Sequence, residues 1–283
     1  MSQHLLSAGY TLKVWNRSPE KARPLSASGA TVVRFCTEAL RDVDVAICML
    51  STGPVIDEVL FGPDASGEVP VHALEPGSTL IVMSSIPVET SQKHAQHLAR
   101  RKVQYVDAPV SGGEAGAKAG KLTIMAGGDQ TAVETLRPVL ETMGTVTHVG
   151  PVGMGQLTKL ANQMIVGTTI AAVAEAFLLA KRGGADLAAV RLALCGGFAD
   201  SAILRAHGNR MLQENFAPGA PSVYQLKDLR TAQQFAEKSQ LELPVLSTVT
   251  SLYEEMCQTD LRDLDHSALY LFYLGRSSAI HKT

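Results

Sequence analysis

The chain has 283 residues, of which 46% are hydrophobic and 18% charged, so it can bury enough apolar surface for two domains, and long disordered stretches are not expected. Its formal net charge of −2 and the lack of clustered basic and aromatic residues argue against nucleic acid as a partner. The four cysteines form no C-x-x-C pair, which favours reduced thiols in a cytoplasm and argues against a metal centre.

The first half of the chain alternates between strand and helix patterns. Short β-branched runs occur at Thr11–Trp15, Thr31–Val33, Val43–Leu50, Thr79–Met83, Val103–Ala108, Leu122–Met125 and Val146–Val149. Helical patterns separate these runs, which is typical of a largely parallel sheet covered by helices. Residues 1–150 are therefore predicted to form a doubly wound α/β domain that binds a dinucleotide.

The start of this domain departs from the usual pattern. Ser2–Gly9 has the character of the last turns of a helix, and the strand Thr11–Trp15 follows it directly. A doubly wound dinucleotide fold instead opens with a strand and a G-x-G-x-x-G loop. We therefore expect the central strand, between Thr11–Trp15 and Val43–Leu50, to be missing from the sheet, together with its phosphate-binding loop. A divided sheet with unpaired edges predicts poor folding and no activity until such a segment is restored upstream.

After Gly150 the strand signal ends and helical periodicity continues. Residues 151–283 are therefore predicted to be an all-helical domain. Its helices are expected to break at three glycine- or proline-containing segments: Gly183–Gly184, Cys195–Gly197 and Phe216–Pro221.

The first helix of this domain is predicted from about Gly155 to Arg182. Polar residues such as Glu175 interrupt its apolar stretch, which favours a helix covered by protein over a membrane span. The helix is apolar on more faces than a small domain needs, so it predicts a homodimer or homotetramer held by the helical half.

Asn16, Arg17 and Ser18 follow the first predicted strand, where a dinucleotide fold commonly places an acidic residue against the adenosine ribose. No carboxylate stands there. The Arg17 guanidinium and the Ser18 hydroxyl suit a 2′-phosphate, which favours NADP over NAD, although NAD stays possible. The segment is also consistent with a simple helix start that has Ser18 as N-cap and Pro19 in the first turn, and both interpretations can hold together.

Two further patterns are suited to an anionic substrate. Ser111, Gly112 and Gly113 enter a glycine-rich turn at a strand end, where a hydroxyl and open backbone amides can hold a carboxylate, although Ser-Gly-Gly is also a common loop. Lys159 and Asn162 are three residues apart on the long helix and so share one face. Lys159 is equally consistent with a solvated surface lysine.

Taken together, five ordered patterns resemble the β-hydroxyacid dehydrogenases. They are Asp107–Gly113, Gly116, Gly120–Thr123, Lys159–Asn162 and Lys227–Leu229. The resemblance extends from Met1 to near Leu274. Within that family, the stretches Gly196–Ser201 and Leu264–Leu269 are most similar to the tartronate semialdehyde reductases.

On the substrate side, the resemblance implies that Lys159 is the catalytic acid/base and that Asn162 orients the substrate oxygen near it. It also implies that Ser111, Gly112 and Gly113 hold the substrate carboxylate. The chemistry is consistent, because an ammonium group both stabilises the alkoxide that hydride transfer creates and supplies its proton.

On the cofactor side, the resemblance implies contacts from Met49, Leu50 and Ser85, and it places Lys227 near both nicotinamide and substrate. Lys227 and Asp228 are otherwise an ordinary pair on a helix surface. Besides the missing glycine loop, two departures from the family pattern weaken the cofactor site. A serine that commonly precedes the proline after Ser85 is absent, and Ala220 stands where an aromatic residue is common.

The expected activity is reduction of a short 3-oxo acid with NADPH, chiefly tartronate semialdehyde to D-glycerate. A 3-hydroxyisobutyrate dehydrogenase, or a succinic or glyoxylic semialdehyde reductase, stays open, because the carboxylate-binding turn is shared and only pocket size separates these enzymes. A non-catalytic relative that serves as an interaction module is the alternative from a different class, and the missing glycine loop favours it.

Overall fold

The computed structural model describes residues 1–280, and the chain divides into two compact units, Met1–Lys159 and Leu160 onward. The strands within the described residues all belong to the first unit. They are β1 Lys13–Val14, β2 Thr31–Val32, β3 Val45–Cys48, β4 Thr79–Val82, β5 Gln104–Asp107, β6 Val110–Ser111, β7 Leu122–Gly127 and β8 Gly144–Gly150. Seven of these lie within the predicted runs or extend them slightly; β6 was not predicted.

The strands form two separate sheets. β1 and β2 pair in parallel, and the remaining strands form a six-stranded sheet with the order β3-β4-β5-β7-β6, in which β8 also pairs with β7. The three strands β3, β4 and β5 are parallel. β7 is antiparallel to β5 and β6 but parallel to β8, so the sheet is less uniformly parallel than predicted. No ladder among residues 1–280 joins β1 or β2 to β3, which agrees with the expected division of the sheet.

The six-stranded sheet is covered on both faces. Every residue of β4 is buried, and alternate side chains enter different cores. Leu80 and Val82 pack into one hydrophobic cluster, whereas Ile81 and Met83 pack into the other. This alternation follows from the period of two in a strand and explains why β4 is continuously apolar.

The helices of the first unit are short except for two that flank the sheet. They are α1 Ser2–Ser7, α2 Pro19–Ala22, α3 Cys36–Leu40, α4 Gly53–Ile56, α5 Val88–Ala99, α6 Gly113–Ala119 and α7 Gln130–Glu141. Ser18 occupies the N-cap position of α2 and Pro19 its first turn, as predicted. The capping hydrogen bond itself is not made by the Ser18 hydroxyl; instead the Ser18 N–H donates to Asn16 Oδ1 at 2.9 Å.

The helix α8, Met154–Arg182, begins in the first unit and runs on into the second. The helices that follow are α9 Leu187–Leu194, α10 Ala202–Leu212, α11 Ser222–Lys238, α12 Pro244–Met256 and α13 Leu269–Ile280. The three predicted breaks fall between α8 and α9, between α9 and α10, and between α10 and α11. Asp186 and Ser201 cap α9 and α10 with their side chains, which fixes where these helices start.

Within residues 1–280, α8 is the one helix whose length and composition would allow it to cross a bilayer; its most apolar window has a mean hydropathy of 1.7 and is 33% buried. Core helices of globular proteins satisfy the same criterion, so this property alone does not indicate a membrane span.

Candidate active site

The carboxyl ends of β3, β4 and β5 meet at one edge of the sheet, because these neighbouring strands are parallel. Met49 and Leu50 follow β3, and Ser84 and Ser85 come shortly after β4. The Leu50 N–H donates to Ser84 Oγ at 2.7 Å, so the two loops are tied together. Met49 is 52% exposed and Ser85 is partly exposed, which leaves this edge accessible to a ligand.

Asp107, at the end of β5, holds the start of α8. Its carboxylate is completely buried, with Oδ1 accepting from the Gly153 N–H at 2.7 Å and Oδ2 from the Gln156 N–H at 2.8 Å. Such N–H groups lack partners within the helix, so the carboxylate acts as their cap. Burial raises the pKa of Asp107 to about 6, although the hydrogen bonds from Gly153 and Gln156 favour the charged form.

Glycine at position 155 allows this close contact. A Cβ at Gly155 would lie 2.4 Å from the Met125 carbonyl oxygen and 2.6 Å from that of Asp107. The first turn of α8 therefore rests directly on the ends of β5 and β7, and only glycine permits that distance.

Gln156 extends the attachment to the loop after β4. Its side chain has no exposed surface; Oε1 accepts from the Ile86 N–H at 3.0 Å, and Nε2 donates to the Ser84 carbonyl oxygen at 2.8 Å. Sequence reasoning missed Gln156, although a polar residue three positions before Lys159 in an apolar helix was a visible signal.

Lys159 lies one turn further along α8 and is 8% exposed. Lysine is rarely buried unless its ammonium group interacts with a partner or performs a function. The interpretation of Lys159 as a solvated surface lysine is therefore wrong.

Ser111, Gly112 and Gly113 form a turn between β6 and α6. Ser111 pairs with Thr123 of β7, and the following glycines have φ values of +129° and +61°. These backbone conformations favour glycine strongly, so the two residues are required by the turn itself. Both glycines are exposed, and the turn is therefore accessible to a ligand.

In the second unit, a chain of polar side chains joins Asn162 to Lys227. The Asn162 amide donates to Gln163 Oε1 at 2.9 Å, and Gln163 Nε2 donates to Asp228 Oδ2 at 2.9 Å and to Gln225 Oε1 at 3.1 Å. Lys227 Nζ lies 3.0 Å from Asp228 Oδ1. The structure thus brings together two residues singled out from the sequence, through Gln163, Gln225 and Asp228, which were not assigned a role.

Asn16, Arg17 and Ser18 follow β1 in the two-stranded sheet. Asn16 and Arg17 are exposed, and Ser18 is partly exposed. Since the Ser18 N–H is bonded to Asn16, the segment forms an ordered turn whose guanidinium group is accessible.

His207, Asp265 and His266 are a group of described residues with metal-ligating atoms within 4.8 Å of one another. The Asp265 carboxylate already accepts from the N–H and the hydroxyl of Ser267 at 3.1 and 2.6 Å. Arg210 Nε lies 3.4 Å from the same carboxylate and would repel a metal cation. Burial opposes ionisation of Asp265, but the contacts with His207, His266 and Ser267 hold its pKa well below the usual value. The cluster is therefore better suited to anchoring the chain than to holding a metal.

Two family profiles match the chain. Residues 1–150 match the NAD binding domain of 6-phosphogluconate dehydrogenase, and residues 153–273 match the NAD-binding region of NADP-dependent 3-hydroxyisobutyrate dehydrogenase. Together they cover both units.

Individual proteins agree with these profiles. The chain is 40% identical to 2-hydroxy-3-oxopropionate reductase of Escherichia coli (strain K12), over 95% of this chain and 91% of that enzyme. It is 29% identical to glyoxylate/succinic semialdehyde reductase 1 of Arabidopsis thaliana, over 95% and 92% of the two chains.

Among solved structures, 3-hydroxyisobutyrate dehydrogenase of Mycobacterium tuberculosis with L-serine is 29% identical, with a TM-score of 0.85 over 96% of this chain and 94% of that one. The enzyme of the same name from Salmonella typhimurium is 27% identical, with a TM-score of 0.86 over the same shares. The chain therefore belongs to the NAD(P)-dependent β-hydroxyacid dehydrogenase family.

Proposed function

We propose that the protein reduces a short 3-oxo acid with NADPH, and that its substrate is tartronate semialdehyde, which yields D-glycerate. The observation that carries the proposal is the burial of Lys159 on a helix whose first turn is fixed to the strand edge that bears Met49, Leu50 and Ser85. The 40% identity to 2-hydroxy-3-oxopropionate reductase supports the choice of substrate.

Apart from the expected phosphate-binding loop, the residues at this edge and in the turn after β1 suit a dinucleotide. Met49 offers half-exposed apolar surface beside the loop of Ser85. Arg17 is exposed, neither Asn16 nor Ser18 carries a carboxylate, and the guanidinium group suits a 2′-phosphate. The residues that would hold the cofactor are Asn16, Arg17, Ser18, Met49, Leu50, Ser85 and Lys227. When bound, the dinucleotide supplies the hydride that reaches the carbonyl carbon.

The side chains of the protein perform the remaining steps. The Ser111 hydroxyl and the backbone amides of Gly112 and Gly113 bind the substrate carboxylate. Asn162 orients the aldehyde oxygen, and the Lys159 ammonium group transfers its proton to that oxygen as the new C–H bond forms, leaving a neutral lysine and an alcohol. Lys227, held by Asp228 at 3.0 Å, adds a second positive charge for the anionic substrate.

Replacing Lys159 with alanine tests this assignment, in a chain to which the expected strand and glycine loop have been restored upstream; that chain is the wild type of the experiments below. In Lys159→Ala, kcat should fall by about 10²- to 10⁴-fold, because the proton donor is lost. The Kd for NADPH should stay close to that of the wild type. Turnover is followed by NADPH absorbance, and binding by the fluorescence of Trp15, the one tryptophan in the sequence, which directly precedes Asn16.

Lys181→Ala is the matched control, since Lys181 is an exposed lysine on the same helix. Its turnover should equal that of the wild type. A Lys159→Ala enzyme that retains activity, or that loses NADPH binding together with activity, would disprove the assigned role. Titrating NADH in parallel tests the cofactor preference.

A panel of aldehydes separates the remaining substrates. We expect the highest kcat/KM for tartronate semialdehyde, with succinic semialdehyde, glyoxylate and the 3-hydroxyisobutyrate couple lower. A non-catalytic interaction module would give neither turnover nor a saturable NADPH signal. The four free cysteines favour a cytoplasmic location for this activity.

A further inference from the structure

The Gln156 side chain forms hydrogen bonds with the backbone on both sides of Ser85. Its carbonyl oxygen accepts the N–H of the residue after Ser85, Ile86, at 3.0 Å, and its amide donates to the carbonyl oxygen of the residue before it, Ser84, at 2.8 Å. Because the Gln156 side chain has no exposed surface, solvent cannot replace either hydrogen-bond partner if the bond is broken. One side chain therefore determines the path of the loop that carries the proposed cofactor contact.

The same residue is tied to two further strand ends. Its backbone N–H donates to the Asp107 carboxylate at the end of β5. The loop of residues 84–86, to which its side chain is hydrogen-bonded, is in turn joined to the end of β3, because the Leu50 N–H donates to Ser84 Oγ. Gln156 thus lies where the ends of three adjacent parallel strands are joined to the first turn of α8.

Gln156 is also rigidly connected to Lys159. The two residues are three positions apart on one face of α8, so a shift of the first turn displaces the Lys159 ammonium group and the Ser85 loop relative to each other. Hydride and proton reach neighbouring atoms of one carbonyl group, so the distance between these two parts of the site must be constant.

We infer that Gln156 is a positioning residue that sets Lys159 at a fixed distance from the cofactor-binding loop of residues 84–86. The inference rests on the proposed reductase function. It predicts that loss of the side-chain amide impairs the chemical step far more than it impairs binding.

The first variant is Gln156→Met, which keeps the length and volume of the side chain but removes both hydrogen bonds. We expect kcat to fall by about ten- to a hundredfold, in keeping with the effect of a small misplacement in an active site. The KM for the aldehyde and the Kd for NADPH, read from Trp15 fluorescence, should change by no more than about threefold.

Ser91→Ala is the matched control for general loss of stability. The Ser91 hydroxyl is also fully buried in the first unit and forms a hydrogen bond with the Tyr105 hydroxyl at 3.0 Å. Neither residue is assigned to the proposed active site. This variant should lower the melting temperature to a similar degree and leave kcat and its pH profile unchanged.

The second variant, Gln156→Glu, gives a signature that a merely structural role would not produce. When ionised, the introduced carboxylate repels the Ser84 carbonyl oxygen; when protonated, it donates to that oxygen as the amide did. The ratio of its kcat to that of the wild type, measured at each pH, should therefore rise as the pH falls. Asp107, whose carboxylate accepts the N–H of residue 156, is the titratable group nearest the introduced carboxylate. Dividing by the wild-type kcat removes only the part of the pH profile that the two enzymes share.

The outcomes separate the inference from the function on which it rests. A wild-type enzyme that reduces no aldehyde of the panel overturns both. An active wild type, together with a Gln156→Met variant that keeps its kcat or loses it only in proportion to the unfolded fraction, overturns the positioning role alone. A selective loss of kcat, with recovery of Gln156→Glu at low pH, supports it.

Discussion

Asp107 places an ionisable group where no solvent reaches it, and the consequence is a carboxyl whose charge is only marginally favoured at neutral pH. Burial raises its pKa from 3.8 to about 6, with the N–H groups of Gly153 and Gln156 opposing that rise. The native state then binds more protons than the unfolded state between these two values. The stability that Asp107 contributes is therefore fully present below its unfolded-state pKa of 3.8 and is lost as the pH rises through about 6.

Asp107→Asn tests this pH dependence. Asparagine has the shape of aspartate, but its amide places an N–H donor against the N–H group of either Gly153 or Gln156. We therefore expect the unfolding free energy to fall by about 1–3 kcal/mol at pH 4. Because asparagine does not titrate, the difference from the wild type should shrink as the pH rises toward 6. Urea unfolding between pH 4 and 7 measures it.

Asp129→Asn is the control, since Asp129 is an exposed N-cap of α7 and asparagine caps equally well. Its unfolding curve should follow that of the wild type at every pH. Parallel curves for Asp107→Asn and the wild type would contradict the raised pKa.

At the scale of residues, the candidate catalytic side chains could be predicted from the sequence, whereas the side chains that form hydrogen bonds around them could not. Lys159 and Asn162 stood out because a cation and an amide share a face of an apolar helix. Gln156 gave only its spacing of three from Lys159 as a signal, and Gln163 was not singled out, because the role of a glutamine becomes clear only when its partners are known. Apart from Asn162 beside Gln163, the partners of these two side chains are 62 to 72 residues away in the sequence, a separation that no local pattern reveals.

At the scale of elements, long periodic segments were predictable and short pairings were not. α8 was expected from about Gly155 to Arg182 and is observed from Met154 to Arg182, because its composition and its closing glycines act locally. The strand β6 has only two residues, and the direction of β7 depends on its neighbours β5 and β6. Both features result from pairing across the sheet, which residue patterns do not encode.

The exposed apolar residues of α8 support the prediction of a homo-oligomer. Ile165 is 64% exposed and Leu179 is 77% exposed. If copies of the chain pack through this face, Leu179→Glu should give a monomer by light scattering at micromolar concentration, because a charge would be buried without a partner. The helical content should stay unchanged by circular dichroism.

Lys181→Gln is the matched control on the same helix, and it should retain the mass of the wild-type assembly. A wild-type chain that is itself monomeric at this concentration would refute the prediction.

At the scale of the whole molecule, the order of element types was predictable, with an alternating half followed by a helical one. The expected gap in the sheet is also present, since β1 and β2 pair with each other and β3 pairs only with β4 among the described strands. Unpaired strand edges favour association with other chains, and β3 retains one such edge. What the pattern did not disclose is how the six-stranded sheet continues beyond β5, where the strand order no longer follows the chain.

The attachment of α8 to the strand ends has a consequence for the order in which the protein folds. Its four hydrogen bonds close chain segments of 46, 49, 70 and 72 residues, so each must overcome the entropy of a long loop. Contacts of this kind tend to form after local helices and hairpins, and the active site would then be assembled last. Gln156→Met should accordingly accelerate unfolding in stopped-flow experiments while the refolding rate stays near that of the wild type. Slower refolding with an unchanged unfolding rate would place the formation of these bonds early instead.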